Sequence, residues 1–423
     1  MELLNWYRAC SSKWWWCLFL LFFVGTFLLG LGVVHLFSTG VGVWGNTQSV
    51  AWGFAIVNFV WWIGIGHAGT LISSILLLAG QKWRNSINRS AEAMTLFAIA
   101  CAALFPLFHL GRPWLFYWLI PYRTPMHLWP QYRSALVWDA LAIFTYGVLS
   151  FLFWYMGLVP DLKAASQTSK GWRKKIYYVL SLGWTGNERQ WNVLDQASIL
   201  LAGLATVLVV SIHSIVSFDF AIGINAGWHH TLFPPYFVAG AIYSGLAMVL
   251  TLIIPMRYFL GVEEYITRTH FKNLRKLMVA SGLIVGYGYL SEHFFTWYTQ
   301  NPTELHLSQQ RLSGPYGFFY VTMLTLNFGL PLLLSLFPFE KHLKTFFAVA
   351  LLVNVGMWLE RFVIVVTSLS YPHMVSSWQI FIPTFWDWVF LFGSLSLFFL
   401  LFLLFLKFVP PISLWEVQEL KDE

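Results

Sequence analysis

Three ionisable residues stand near the ends of successive apolar runs. His109 closes one run, Asp139 lies five residues into the next, and Asp219 ends the one after that. Five helical residues rise about 7.5 Å, so the three groups belong near one face of whatever layer the runs cross. Trp228, His229 and His230 follow shortly after Asp219. An imidazole and two carboxylates at one depth, beside aromatic rings, suit the oxidation of a quinol, a flat apolar ring with two hydroxyls. That reaction removes two electrons and two protons, and carboxylate and imidazole are the usual proton acceptors. His109, Asp139 and Asp219 are therefore the expected catalytic set. Trp138, Trp228, His229, His230 and Arg112 are the expected surroundings of the quinol. The plainer alternative is that His109 and Asp139 only bond loop backbone, and the grouping of three such residues weighs against it.

A second set lies deeper. His67 sits in G-I-G-H-A-G-T, and Glu292, His293, Glu360 and Arg361 lie inside other apolar runs. Ionisable groups at membrane depth are costly and mark proton relays, wet cavities or ion pairs. A proton path through these five is expected. The alternatives are a structural ion pair, a satisfied core histidine, and haem ligation by His67 with His213, the minimum for a b-type haem. Adjacent helical residues point about 100° apart, so Glu292 and His293 are the expected partners of Glu360 and Arg361. Three scattered cysteines (Cys10, Cys17, Cys101) and the lack of a C-x-x-C-H motif predict no metal, iron–sulfur cluster or haem on this chain.

The elements that must position these residues are membrane helices. Of 423 residues, 58% are hydrophobic, 19% aromatic and only 10% charged, against about 25% charged in soluble domains. This excludes a soluble enzyme, a coiled coil and a disordered chain. The net charge of +7 is read as membrane topology, with no nucleic-acid partner. Ten stretches reach the roughly 20 apolar residues that a spanning helix needs: 14–37, 50–79, 93–110, 134–158, 193–217, 236–256, 277–298, 317–338, 345–368 and 384–406. Sorted by alternating loops, 20 Lys and Arg fall on the side of the termini and four on the other, Arg112, Arg123, Arg133 and Arg311. Both termini are therefore expected in the cytoplasm. The first apolar run is too long for a signal peptide and is read as a retained helix.

The inner loops are basic and polar. The outer loops 111–133 and 218–235 are rich in Trp, Tyr, Pro and His and are expected to fold back on the bundle. The predicted architecture is an all-α integral membrane protein with two parallel four-helix bundles. Residues 1–49 carry the peripheral first span, 50–235 the first bundle with its quinol site, 236–383 the second bundle, and 384–423 the peripheral tenth span and tail.

Several segments also resemble a known family. They are W-G-F-A-I-V-N-F-V-W-W-I-G-I-G-H-A-G-T (52–70), Q-K-W-R-N-S-I-N-R-S-A-E-A-M-T (81–95), F-P-L-F-H-L-G-R-P-W (105–114), F-P-P-Y-F-V-A-G-A-I (233–242) and L-E-R-F-V-I-V-V (359–366). In order, they resemble the NrfD-like, polysulfide reductase membrane subunits of bacterial respiratory complexes, most of all the larger, quinol-oxidising one of alternative complex III. The resemblance implies menaquinol or ubiquinol oxidation near the periplasmic face of the bacterial inner membrane. It implies three kinds of partner: c-type cytochrome subunits, a periplasmic iron–sulfur subunit and a second NrfD-like subunit, with a cytochrome c or terminal oxidase beyond. It places the family's quinol-site residues at His109, Asp139 and Asp219, and it assigns His67, Glu360 and Arg361 to proton half-channels. It also implies that no haem is bound. The alternatives are the anchor of a polysulfide- or sulfoxide-type reductase, a sister subunit lacking the His/Asp set, a secondary transporter, or a scaffold.

Overall fold

The computed structural model describes residues 12–119 and 134–417. Among these, nine helices are long and apolar enough to cross a membrane. They are α1 (Lys13–Thr39), α2 (Gly53–Leu78), α3 (Asn88–His109), α4 (Ala135–Thr168), α6 (Glu188–Ala221), α7 (Phe233–Leu260), α10 (Gly317–Leu336), α11 (Leu343–Ser370) and α12 (Phe385–Phe408). The remaining expected span, 277–298, falls in α8 (Arg268–Thr299), which is 32 residues long. Its first three turns hold Arg268, Lys272, Arg275 and Lys276, which makes it more polar than the rest. Two short helices, α5 (Trp172–Leu180) and α9 (Pro302–Ser313), lie between spans. The expected loop residues Arg123 and Arg133, and Arg8, Cys10 and Lys421 of the termini, lie outside the described residues.

Chain direction alternates. The starts of α1, α3, α6, α8 and α11 therefore share one end with the finishes of α2, α4, α7, α10 and α12. This basic end holds most Lys and Arg, and the opposite, aromatic end holds His109, Asp139 and Asp219. The helices start where local chemistry satisfies their free amides. Ser12 accepts from the Trp15 amide, and Asn187 from the Gln190 amide. Thr384 and Asp387 form a reciprocal capping box, and Asp387 also accepts from the Gly45 amide at 2.9 Å. That intramembrane carboxylate is thus engaged as a helix cap.

α2 is buried along almost its whole length. It packs against α3 on one side and α7 on the other, while α4 pairs with α6, α7 with α8, and α11 with α7 and α10. α1 and α12 pair on the outside, and α1 turns Leu20, Leu21, Phe27 and Val34 outward. In lipid, apolar area alone does not draw helices together, so small residues that let backbones approach do much of the work. A Cβ on Gly69 would sit 2.1 Å from the Ala91 carbonyl oxygen on α3, and one on Gly245 of α7 would sit 2.6 Å from the Ala68 Cβ. Both glycines fix His67's helix between its neighbours. Gly69→Val is expected to destabilise the fold by about 1–3 kcal/mol, read as a lower melting temperature in mild detergent. Gly30→Val, where a Cβ meets nothing within 4 Å among the described residues, is expected to change little.

Three spans contain a π turn: Leu71–Ile75 in α2, Thr325–Gly329 in α10 and Val363–Thr367 in α11. Such single-turn bulges free a carbonyl and cluster at functional sites. The first follows His67 and the third follows Arg361, so both lie beside the deep ionisable residues.

The basic end departs from the expectation of solvated loops. Arg84 and Arg89 are buried, and the chain after α12 folds back to meet them. Arg89 pairs with Asp161 at 2.9 Å and Arg84 with Glu416 at 3.0 Å. Asp161 also accepts from the Leu414 and Trp415 amides, and Asn88 donates to Glu416 at 2.6 Å. The helices reach further than their apolar runs, because ion pairs let polar turns stay buried: α4 continues past Pro160 to Thr168, and α3 starts at Asn88.

Candidate functional site

The aromatic end brings Asp139 and Asp219 together. Asp139 lies in the first turns of α4 and Asp219 in the last turn of α6, and these helices pack along each other. The two carboxyl groups are within hydrogen-bonding reach of one another. Neither Asp139 oxygen, nor Oδ1 of Asp219, meets a protein donor among the described residues, and Asp139 is 4% exposed. A structural carboxylate would normally hold amides or a cation. This pair instead keeps acceptor capacity for an incoming hydroxyl and can hold a proton between its members.

His109 ends α3 at the same end of the bundle. Its ring lies nearly parallel to Trp44, 6.5 Å between centroids, and its Nδ1 is buried with no partner among the described residues. It makes no hydrogen bond to either aspartate. The expected triad is thus a joined carboxyl pair with a separate imidazole, both with unused polar atoms. Trp138 is 38% exposed beside Asp139, and Arg112 is exposed just beyond α3.

The other expected surroundings go elsewhere. Trp228 is buried, stacks on Trp52 at 5.3 Å, and donates to the Ile364 carbonyl at 2.7 Å. That carbonyl belongs to the π turn of α11, so Trp228 fastens the loop between α6 and α7 to α11. His229 and His230 line a cavity of about 540 Å³ together with His373, Thr296, Asn301 and Glu304. Among the described residues, no three His, Cys, Asp or Glu are grouped to hold a metal ion.

A polar line runs inward from this cavity. A small void of about 20 Å³ between His230, Tyr236 and Glu292 has room for a single water molecule. The Tyr236 ring packs edge-on against Tyr289 at 5.7 Å between centroids, and the Tyr289 hydroxyl, itself bonded by Asn327 at 2.8 Å, donates to Glu360. Glu360 pairs with Arg361 at 2.7 Å, and the guanidinium lies 4.2 Å over the Phe237 ring. Next come His213 and His67, both wholly buried, with ring centroids 4.2 Å apart. The His67 nitrogens face the carbonyls of Ile63 and Val209 at 2.8 and 2.9 Å, while neither His213 nitrogen has a partner among the described residues. Beyond His67, Thr95 and Tyr146 both donate to the Gly66 carbonyl, and Tyr146 bonds Thr70. A cavity of about 300 Å³ at the basic end is lined by Arg84, Arg89, Glu92, Asp195 and Glu416.

The pairing differs from the expected one. Glu292 binds Arg311 of α9 at 2.5 Å, and His293 accepts or donates to Tyr320 at 2.7 Å. Glu292 and His293 sit nearer the aromatic end than Glu360, so α9 reaches them first. The long Arg361 side chain folds back to its neighbour Glu360 despite their divergence on the helix. Burial opposes the Arg311 charge, but Glu292 and Tyr320 more than offset it and hold its pKa above the ordinary arginine value. Sequence reading missed Tyr236, Tyr289 and Asn327, because uncharged polar residues are unremarkable until a carboxylate is seen beside them.

Fold and sites together define a multi-pass integral membrane protein with an ionisable interior and an open carboxyl pair at one face. The chain belongs to the NrfD, polysulphide reductase family, whose model matches residues 42–373. It is 25% identical to a selenate reductase subunit of Mesobacillus selenatarsenatis over 92% of this chain and 94% of that one. It is 21% identical to the Hdr-like menaquinol oxidoreductase integral membrane subunit of Archaeoglobus fulgidus over 90% of each. A protein of Halobacterium salinarum described as a dimethyl sulfoxide reductase membrane subunit is 26% identical over 53% of this chain, and the match spans only half of that relative's length.

Proposed function

We propose that this chain is the quinol-oxidising membrane subunit of a respiratory complex of the alternative complex III kind. The observation that carries this is the Asp139–Asp219 pair, buried at one face with unfilled acceptor positions. A quinol hydroxyl donates to the pair and loses its proton to it as an electron leaves. His109, with its free Nδ1, takes the second proton. The ring, now a quinone, departs into the lipid, and the two electrons pass to a partner iron–sulfur subunit and on to c-type haem subunits. Menaquinol is the favoured substrate, since one relative is named a menaquinol oxidoreductase subunit. The basic end faces the cytoplasm, because Lys and Arg gather on that side. We take the chain to carry no haem: the His67 and His213 rings touch, leaving no room for a macrocycle between them.

The names of two relatives favour a second reading, the membrane anchor of a reductase that draws on the same quinol. Tagged protein purified in mild detergent separates the readings. Co-purifying c-type haem and iron–sulfur subunits, with quinol-dependent reduction of soluble cytochrome c, are expected. A catalytic reductase subunit in their place, with an oxyanion, sulfoxide or polysulfide as acceptor, gives the second reading. Solute flux through the chain alone in liposomes would make it a transporter.

The line Glu292, Tyr236, Glu360, Arg361, His213, His67 is the proposed proton path, with His293 beside its entrance. Each link is a titratable group or a site for one water, the parts a relay requires. In proteoliposomes carrying a trapped pH dye, Glu360→Gln is expected to retain quinol turnover and to lower the protons moved per electron. Unchanged proton movement would remove the path.

A further inference from the structure

A further opening lies at the basic half of the molecule, lined by none of the ionisable residues above. It is a groove of about 370 Å³ between α1, α7, α11 and α12, walled by Trp15, Phe22, Pro255, Phe259, Phe347 and Phe402. Ser12 lies at its mouth and Thr251 at its far end. From Ser12 to Phe22 is ten helical residues, about 15 Å, or half of a hydrocarbon core about 30 Å thick. The groove therefore spans one leaflet and stops at midplane. A crossing helix from another subunit would need a groove through the full thickness.

The rim is basic on all four walls. Lys13 begins α1, Arg257 lies in the last turn of α7, Lys344 in the first turn of α11, and Lys407 in the last turn of α12. Arg257 is partly neutralised by Glu263 at 3.8 Å. Lys13 and Lys344 are exposed, and the Lys407 ammonium lies 4.0 Å over the Trp15 ring that forms the groove wall.

We propose that this groove holds one acyl chain of an anionic phospholipid from the leaflet at the basic end, its phosphate held at the lysine rim. Apolar walls of one-leaflet depth fit the chain, and the rim adds the charge that selects the headgroup. The lipid wedges the peripheral α1–α12 pair against α7 and α11.

The test uses the full chain, with its co-purifying subunits, in nanodiscs of phosphatidylcholine and phosphatidylglycerol, followed by native mass spectrometry. One phosphatidylglycerol per chain is expected to be retained in preference to phosphatidylcholine. Leu403→Trp, which fills the groove, is expected to expel it. Lys344→Gln with Lys407→Gln is expected to keep a lipid but to lose about fivefold of headgroup preference per lysine. Where Leu403→Trp fails to fold, Thr251→Leu narrows the same groove from α7. Equal retention of the two lipids, or an adduct indifferent to both kinds of change, overturns the proposal.

Discussion

Asp139→Asn is expected to lower the kcat of quinol oxidation in the assembled complex by about 10²- to 10⁴-fold, the usual contribution of a positioned base. Asparagine has nearly the same shape, and its amide can donate to Asp219, so the α4–α6 contact survives and assembly is expected to be normal. What disappears is the ability to take a proton. Asp219→Asn is expected to act alike. If the two carboxyls work as one unit, the double variant is scarcely slower than either single one. Full turnover in a normally assembled Asp139→Asn complex would sink the catalytic role. His109→Gln separates the imidazole from the pair: it makes no hydrogen bond to them, so its loss is expected to multiply with theirs rather than be absorbed by it.

The largest effect on stability is expected at the basic end. Arg89 is 2% exposed and bonds Asp161, the Gly157 carbonyl and the Ser413 hydroxyl. Arg89→Met leaves Asp161 as an uncompensated buried charge, a change that costs about 3–5 kcal/mol. It also loosens the tail, since Asp161 is what holds the Leu414 and Trp415 amides. The expected result is a large drop in melting temperature, followed by tryptophan fluorescence, and faster proteolysis within residues 410–417. Arg89→Met with Asp161→Leu is expected to recover much of the loss, because removing both charges removes the desolvation cost as well. A single variant as stable as the parent would show that the tail, not the ion pair, holds this end together.

The helices were readable because each long apolar run has one economical fate in lipid. Asp139 and Asp219 were readable for a related reason: both end apolar runs that are consecutive in the chain, so depth alone brought them near each other. The partners of the deep charges were not. Arg311 looked like one more loop cation, yet it binds Glu292, and Tyr289 carried no mark before it met Glu360. Arg84 and Arg89 counted as loop charges by their place in the sequence, but Glu416 and Asp161, hundreds and tens of residues away, draw them inside. Side-chain reach and helix rotation decide such pairs, and neither is written in local spacing. Trp228 sits in the loop between α6 and α7, as expected, but a carbonyl released by a distant π turn captures its indole.

Each of those π turns adds a residue without adding a turn of helix, and so sets the two halves of its span about 100° out of phase. In α11 the half before the bulge aims Arg361 at Phe237, while the bulge itself offers the Ile364 carbonyl to Trp228. Trimming one residue from 363–367 would leave a more regular helix that could satisfy only one of the two. The length of this span is therefore fixed to the single residue, by rotational phase rather than by the thickness of the membrane it crosses.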